Sequence, residues 1–394
     1  MNQRLAALDF ITTCLGIRGA PEVDEHLRSS AVSGRLDWRI LLDLAHAQKI
    51  APALWVALRN RKMVEHLPAE ARERLFKTYL LNTLKNKGLR EQVIKAVRQI
   101  NAIGIEPILL KGGASLFVKT FDDPGSRVMV DLDFLVPKTS AEACWNALLD
   151  MGYLPIADNP HCYVNYQNHH HLRPLYRPGE QGAIEIHRDA LPASAARILP
   201  TALIWEQSEP VVHESGIALR VPSPTYRVLH NLLHADLINQ THVRGLTALR
   251  SLHELAMMQR LYRERLDWET MRRLMERGGQ GRVLRASLYL AHRYFGSPLP
   301  DCMRPTPGAI AHHARTRLQI RWPWLDEFVE RLFWFSTLSI RERYHCDDRF
   351  WSVTRGRLHL VAQLACKYSS RAFRWIRCPI QTILVITQFP LLYS

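Results

Sequence analysis

Two aspartates one residue apart suggest the first chemistry: in Val130-Asp131-Leu132-Asp133-Phe134, acidic and apolar residues alternate. In a strand, side chains at i and i+2 share a face, so Asp131 and Asp133 project together while Val130, Leu132 and Phe134 turn to a core. Two ionised carboxylates held side by side repel, and the natural counter-charge is a divalent cation. Hard oxygen donors suit Mg²⁺ bound together with substrate phosphates. Gly113 lies eighteen residues before Asp131 and closes the triplet Lys111-Gly112-Gly113. Glycines there let the backbone approach a ligand, and free N–H groups where a helix opens favour phosphate. Further on, Ala183-Ile184-Glu185-Ile186-His187 alternates again, which puts Glu185 and His187 on one face and offers a third carboxylate.

These residues need elements to hold them. Apolar positions at helical spacing between Asp37 and Arg59, interrupted near Pro52, predict two packed helices. A long helix is expected from about Pro68 to Ile103, ending at Gly104. The character then changes: IEPILLKGG reads as a short buried strand ending in a glycine turn, with helical periodicity resuming in ASLFVKTF. VMVDLDFLVP, bounded by Gly125 and Pro137, reads as a second strand, followed by a helix from Ser140 to Met151 and a third strand at GAIEIH. From Pro224 onward helical spacing dominates. The expected organisation is a helical region 1–103, a core 104–215, and a mostly helical region 216–394.

Other patterns carry less. His169, His170 and His171, with His161, suggest zinc, but consecutive residues of a strand alternate faces and cannot all reach one ion, so a solvent- or substrate-facing loop is the expectation. His230 and His234 stand at i and i+4 without the glutamate of an HExxH motif, and read as core or pocket-lining residues. The net charge of +15 draws polyanions without naming one. Seven cysteines without a CxxC pair, and an N-terminus lacking an apolar signal core, point to a reduced cytoplasmic protein. Arginines and tryptophans interleave after residue 320, which fits amphipathic helices better than a single-strand nucleic-acid surface. The last segment, from Arg371 onward, is compatible with peripheral contact to a membrane surface, but a buried terminal helix or strand is the favoured reading.

The order GG, spacer, Asp-apolar-Asp and a later acidic residue on a strand resembles the polymerase-β-type nucleotidyltransferase superfamily. LLKGGASLF, DPGSRVMVDLDFLV, MGY and IEIH, with the helical lead-in DWRILLDLAHAQKIAPALWVAL, look like the bacterial family of uncharacterised nucleotidyltransferases over roughly residues 35–260. The resemblance implies an α+β fold: a small mixed β-sheet nucleotidyltransferase core flanked by N-terminal and C-terminal helical regions. It implies two Mg²⁺ ions held by Asp131, Asp133 and Glu185, and a nucleoside triphosphate bound at Lys111, Gly112, Gly113 and Ser115. An acceptor hydroxyl then attacks the α-phosphate and pyrophosphate leaves. The commoner superfamily pattern GSxARG carries an arginine that GGAS lacks, and Arg127 is the expected substitute. His187 and His234 are candidates for the acceptor side, and the acceptor itself, whether small molecule, protein or RNA, is open. The alternative function is a non-catalytic protein of the same fold, associated with a membrane surface.

Overall fold

Alternation and glycine punctuation translate into a short-stranded sheet walled by helices. The structure is a computed structural model that describes residues 2–17, 21–157, 166–167, 169–337, 339–340, 352–358 and 360–361. The fold is α+β, with a mixed sheet between flanking helices. The strands are β1 (Ile108–Leu109), β2 (Asp131–Leu135), β3 (Leu154–Pro155), β4 (Leu175–Tyr176), β5 (Ala183–His187), β6 (Ser208–Val211) and β7 (Leu219–Pro222). Their spatial order is β3-β4-β5-β2-β1-β7-β6, and β7 lies beyond residue 215. At the centre β2 runs parallel to β5 and antiparallel to β1.

The expected helix pair forms as Trp38–Ala47 and Ala51–Asn60. Pro52 sits in the first turn of the second helix, where its missing N–H costs nothing. The chain turns between them at Lys49, which takes a left-handed φ of 53°. The long helix is Ala69–Ala102, ended by Gly104 at φ +77°. Two elements are shorter than their sequence patterns. Only Lys111–Ser115 is helical after β1, and β2 begins at Asp131, leaving Val130 outside the strand and 38% exposed.

Helices pack against both faces of the central sheet. Leu132, Phe134, Ile184 and Ile186 are fully buried with Leu89, Val93 and Val97 of the long helix. The opposite face is closed by helix Pro224–Leu233 and the helices that follow, through Ile108, Leu110 and Leu135 against Val228, Leu229 and Leu232. The N-terminal helices form a third core with Leu249, Leu252 and Phe295. Residues 1–322 make one structural unit. Residues 323–394 make another, in which helix Pro323–Trp334 and a small apolar group of Ile340, Val353 and Leu360 are described. Among the described residues no helix is long and apolar enough to cross a membrane. The segment from Arg371 onward lies outside the described residues.

Candidate active site

The parallel register of β2 and β5 sets Asp133 directly beside Glu185 and Leu135 beside His187. Because side chains alternate, Asp131, Asp133, Glu185 and His187 belong to one face, the one turned away from Leu132 and Phe134. Asp133 is fully buried. Lys111 Nζ donates to Asp133 Oδ1 at 2.7 Å, and His187 Nε2 lies 3.0 Å from the same oxygen and 3.5 Å from Glu185 Oε2. Asp133 Oδ2 is buried with no hydrogen-bond partner. Asp133, Glu185 and His187 each present one ligand atom within 4.8 Å of the others, a spacing compatible with a metal ion.

The charges within this group are unequal. Burial, with Asp133 and Glu185 as neighbours, pushes the Asp131 carboxyl up to about 6 despite the opposing pull of Lys111. Burial would raise Asp133 too, but the Lys111 ammonium and His187 hold it well below the ordinary carboxylate range. Burial works against charge on Lys111, yet Asp133, Asp131 and Glu185 together raise it. His187 likewise is raised, its burial outweighed by Asp133 and Glu185. Lys111 reaches Asp133 from a backbone φ of 45°, a left-handed conformation that a residue with a Cβ adopts at a cost and that is often found at functional sites.

The other expected residues lie around this centre in different circumstances. Gly113 stands on the first turn after β1, 4.0 Å from the Asp133 carbonyl measured from where a Cβ would be. At Gly112 the same Cβ would fall 2.2 Å from Arg127 Nη1 and 2.9 Å from Met129, so this position is closed to any side chain by the neighbouring arginine. Arg127 is itself buried, with Nε and Nη2 both 3.1 Å from Glu254 Oε2, and Glu254 Oε1 accepts from Asn231. Ser115 Oγ accepts from Thr120, which also accepts from Arg227 at 2.5 Å. His234 opens a π-helical turn, His234–Ile238, a local irregularity common near functional sites. Burial and the proximity of Lys111 keep its ring neutral, against the attraction of Asp133.

The nucleotidyltransferase signature lies on this sheet face, and a family model described as uncharacterised nucleotidyltransferase matches residues 34–296. The chain belongs to that family. The match supports a transferase and runs past strands β2 and β5, through the helices that follow them. No curated protein matches the chain.

Some residues close to the site carried no signal in the sequence. Asn82 and Asn86, on the long helix, donate to the Arg127 carbonyl at 2.9 Å each, and so hold the chain that leads into β2. Lys85 lies between them, half-buried; burial lowers it and the charge of Asp131 opposes that. Gln48 accepts from the Leu249 N–H, which brings Lys49 beside Arg250, and Arg250 donates to the Val128 carbonyl at 3.2 Å. Lys49 and Arg250 are each lowered by burial and by a neighbouring arginine, with Asp131 pulling the other way. These cations come from a turn and two helices far apart in sequence, so no local motif announces them.

The histidine triplet lies in an irregular segment, as a loop reading expects, but the alternation argument against a shared ion does not apply to it. Residues 169 and 170 form a bend rather than a strand, and only His171 bridges to His187. The alternation rule therefore does not apply, and the three rings gather, with centroids 4.1–4.8 Å apart. His171 Nε2 lies 3.8 Å from Glu185 Oε2. His161 lies outside the described residues.

Proposed function

We propose that this protein is a metal-dependent nucleotidyltransferase of the polymerase-β type, transferring a nucleoside monophosphate from a nucleoside triphosphate to an acceptor, with release of pyrophosphate. The observation that carries the reading is Asp133 Oδ2: a fully buried carboxylate oxygen without a partner, with Asp131 two residues before it on the strand and Glu185 in register on the next. Leaving such an atom unsatisfied costs about 1–3 kcal/mol or more for a charged group. A donor set of three carboxylates fits Mg²⁺, and Asp131, Asp133 and Glu185 are the residues that would hold it. Bound there, two such ions would supply charge neutralisation at the phosphates and at the attacking and leaving oxygens.

The chain's own residues divide the remaining tasks. Lys111, placed beside Asp133, offers positive charge at the turn Lys111–Ser115, where the family pattern puts the β- and γ-phosphates. Lys49, Lys85 and Arg250, whose charges all reach Asp131, are suited to the phosphates leaving that end of the strand. Arg127, tied to Glu254, contributes by setting the geometry of the Gly112 turn. Glu185 is the carboxylate assigned to the acceptor proton. His187 orients Glu185 and Asp133, and His234 stands on the acceptor side. Cys14, Cys144 and Cys302 are unpaired, in keeping with action in the cytoplasm.

The test is to incubate the untagged protein with Mg²⁺, a cell extract and each labelled nucleoside triphosphate in turn. The expected result is label on a discrete acceptor, absent with Asp131→Asn/Asp133→Asn. Label that persists in the double variant would refute the assignment.

A further inference from the structure

His169, His170 and His171 have no task in the nucleotidyl chemistry, yet they pack as a set. All three offer a ligand-competent nitrogen, and these nitrogens lie within 4.8 Å of one another. Three nitrogens on one tetrahedral zinc ion, with bonds of about 2.1 Å, stand roughly 3.4 Å apart. The gap is a matter of small ring rotations. Imidazoles crowd in this way at a cost, because none can be charged without repelling the others, unless a cation draws the lone pairs together.

Two further observations point to a ligand. His170 Nδ1 is buried and has no hydrogen-bond partner. A buried ring nitrogen normally finds a donor or an acceptor. His171 Nδ1 donates to the Leu172 carbonyl at 2.7 Å, which fixes the proton on that nitrogen and leaves Nε2 with a free lone pair, 3.8 Å from Glu185 Oε2. A backbone carbonyl holding the distal N–H is the usual way a metal-ligating histidine is oriented.

Three imidazole nitrogens select against Mg²⁺, which takes oxygen ligands, and for a borderline divalent transition ion. We propose that His169, His170 and His171 bind a zinc-class transition-metal ion, at a site separate from the Asp131 and Asp133 carboxylates. The nearest additional donor is Glu185, whose Oε2 lies 3.8 Å from His171 Nε2, and His187 packs against the cluster with ring centroids 5.3 Å from His170 and 5.2 Å from His171. The site thus forms the wall behind Glu185 and ties the bend at 169–170 to β5. The inference needs only these rings, and it holds whether or not the protein transfers nucleotides.

The experiment uses untagged full-length protein, stripped with chelator and returned to buffer with excess Mg²⁺ to occupy oxygen sites. Co²⁺ is titrated in and its visible absorption recorded, followed by displacement with Zn²⁺. One Co²⁺ per chain in a four-coordinate nitrogen environment is expected, displaced by Zn²⁺, retained in Asp133→Asn and weakened at least about 100-fold in His169→Ala/His170→Ala. Should the double variant fold poorly, His170→Gln is read instead, and ring ¹⁵N shifts of the wild-type histidines on adding Zn²⁺ report the ligands directly. Absence of a Co²⁺ spectrum, or binding that depends on Asp133 and ignores His170, would overturn the proposal.

Discussion

Arg127–Glu254 and Lys111–Asp133 are both ion pairs withdrawn from water, at 3.1 and 2.7 Å, with side-chain exposures of 8% and 5% in the first and 16% and 1% in the second. The first pair is closed. Glu254 takes Arg127 on one oxygen and Asn231 on the other, and Gly112 is reduced to a hydrogen to admit the guanidinium. The second is open, because Lys111 and His187 share one oxygen of Asp133 while the other oxygen is buried without a partner. The difference separates a structural pair from a site. In the first pair both carboxylate oxygens have donors, and the pair positions the fold; in the second a buried carboxylate oxygen is left over, the feature on which the proposed metal site rests.

That contrast can be broken most severely at the open pair. In the acidic group there, Asp131→Asn should lower nucleotidyl transfer by about 10³-fold or more, the equivalent of about 4 kcal/mol of charge stabilisation at the reacting phosphate, while leaving the unfolding midpoint little changed or raised, because burial already pushes that carboxyl up. Labelled-triphosphate turnover and urea unfolding on the same preparation check both halves. The closed pair should behave in the opposite sense. Glu254→Gln or Arg127→Met leaves a buried charge alone and should cost about 3–5 kcal/mol in urea unfolding, whereas Arg127→Met/Glu254→Leu should recover much of that loss. If the double variant is no more stable than the singles, the pair is not closed in the sense described.

The burial of Asp131 also predicts a pH dependence. Asp131 is raised from an ordinary 3.8 to about 6, chiefly by burial and by Asp133. A raised acid favours the folded state while protonated, so its contribution is complete below about pH 4 and disappears as pH climbs through 6. Metal-free protein should therefore lose roughly 1–3 kcal/mol of stability across that window. Added Mg²⁺ should flatten the loss, as should Asp131→Asn. Thermal unfolding at stepped pH, with and without Mg²⁺, reads the effect; an unchanged slope in Asp131→Asn would assign it to another group. The smallest expected change is at Lys85→Ala, which should weaken triphosphate binding about 10-fold without altering stability by more than about 0.5 kcal/mol.

Much of this centre was readable from local pattern. Asp131, Asp133 and Glu185 sit on strands with clear alternation, and a period of two dictates a shared face whatever the rest of the chain does. The glycine turn and the long helix are likewise set by neighbours in sequence. Two kinds of information were not local. Lys49, in a turn, Lys85, on the long helix, and Arg250 and Glu254, on the helix Leu249–Leu261, meet the site only through tertiary packing, so nothing in their sequence contexts sets them apart from solvated positions. The histidine triplet misled for a different reason: the alternation argument assumes a strand, and the bend at His169 and His170 removes that premise. Val130 was expected in the core by the same argument and lies exposed because the strand starts one residue later.

The central claim is that the acidic group requires a divalent ion and, with it, holds a triphosphate. Isothermal titration of the full-length protein with each nucleoside triphosphate, in Mg²⁺ and in chelator, tests it most directly. The account predicts binding that needs Mg²⁺ and vanishes in Asp131→Asn/Asp133→Asn. Equal binding in chelator, or binding untouched by the double substitution, would contradict it.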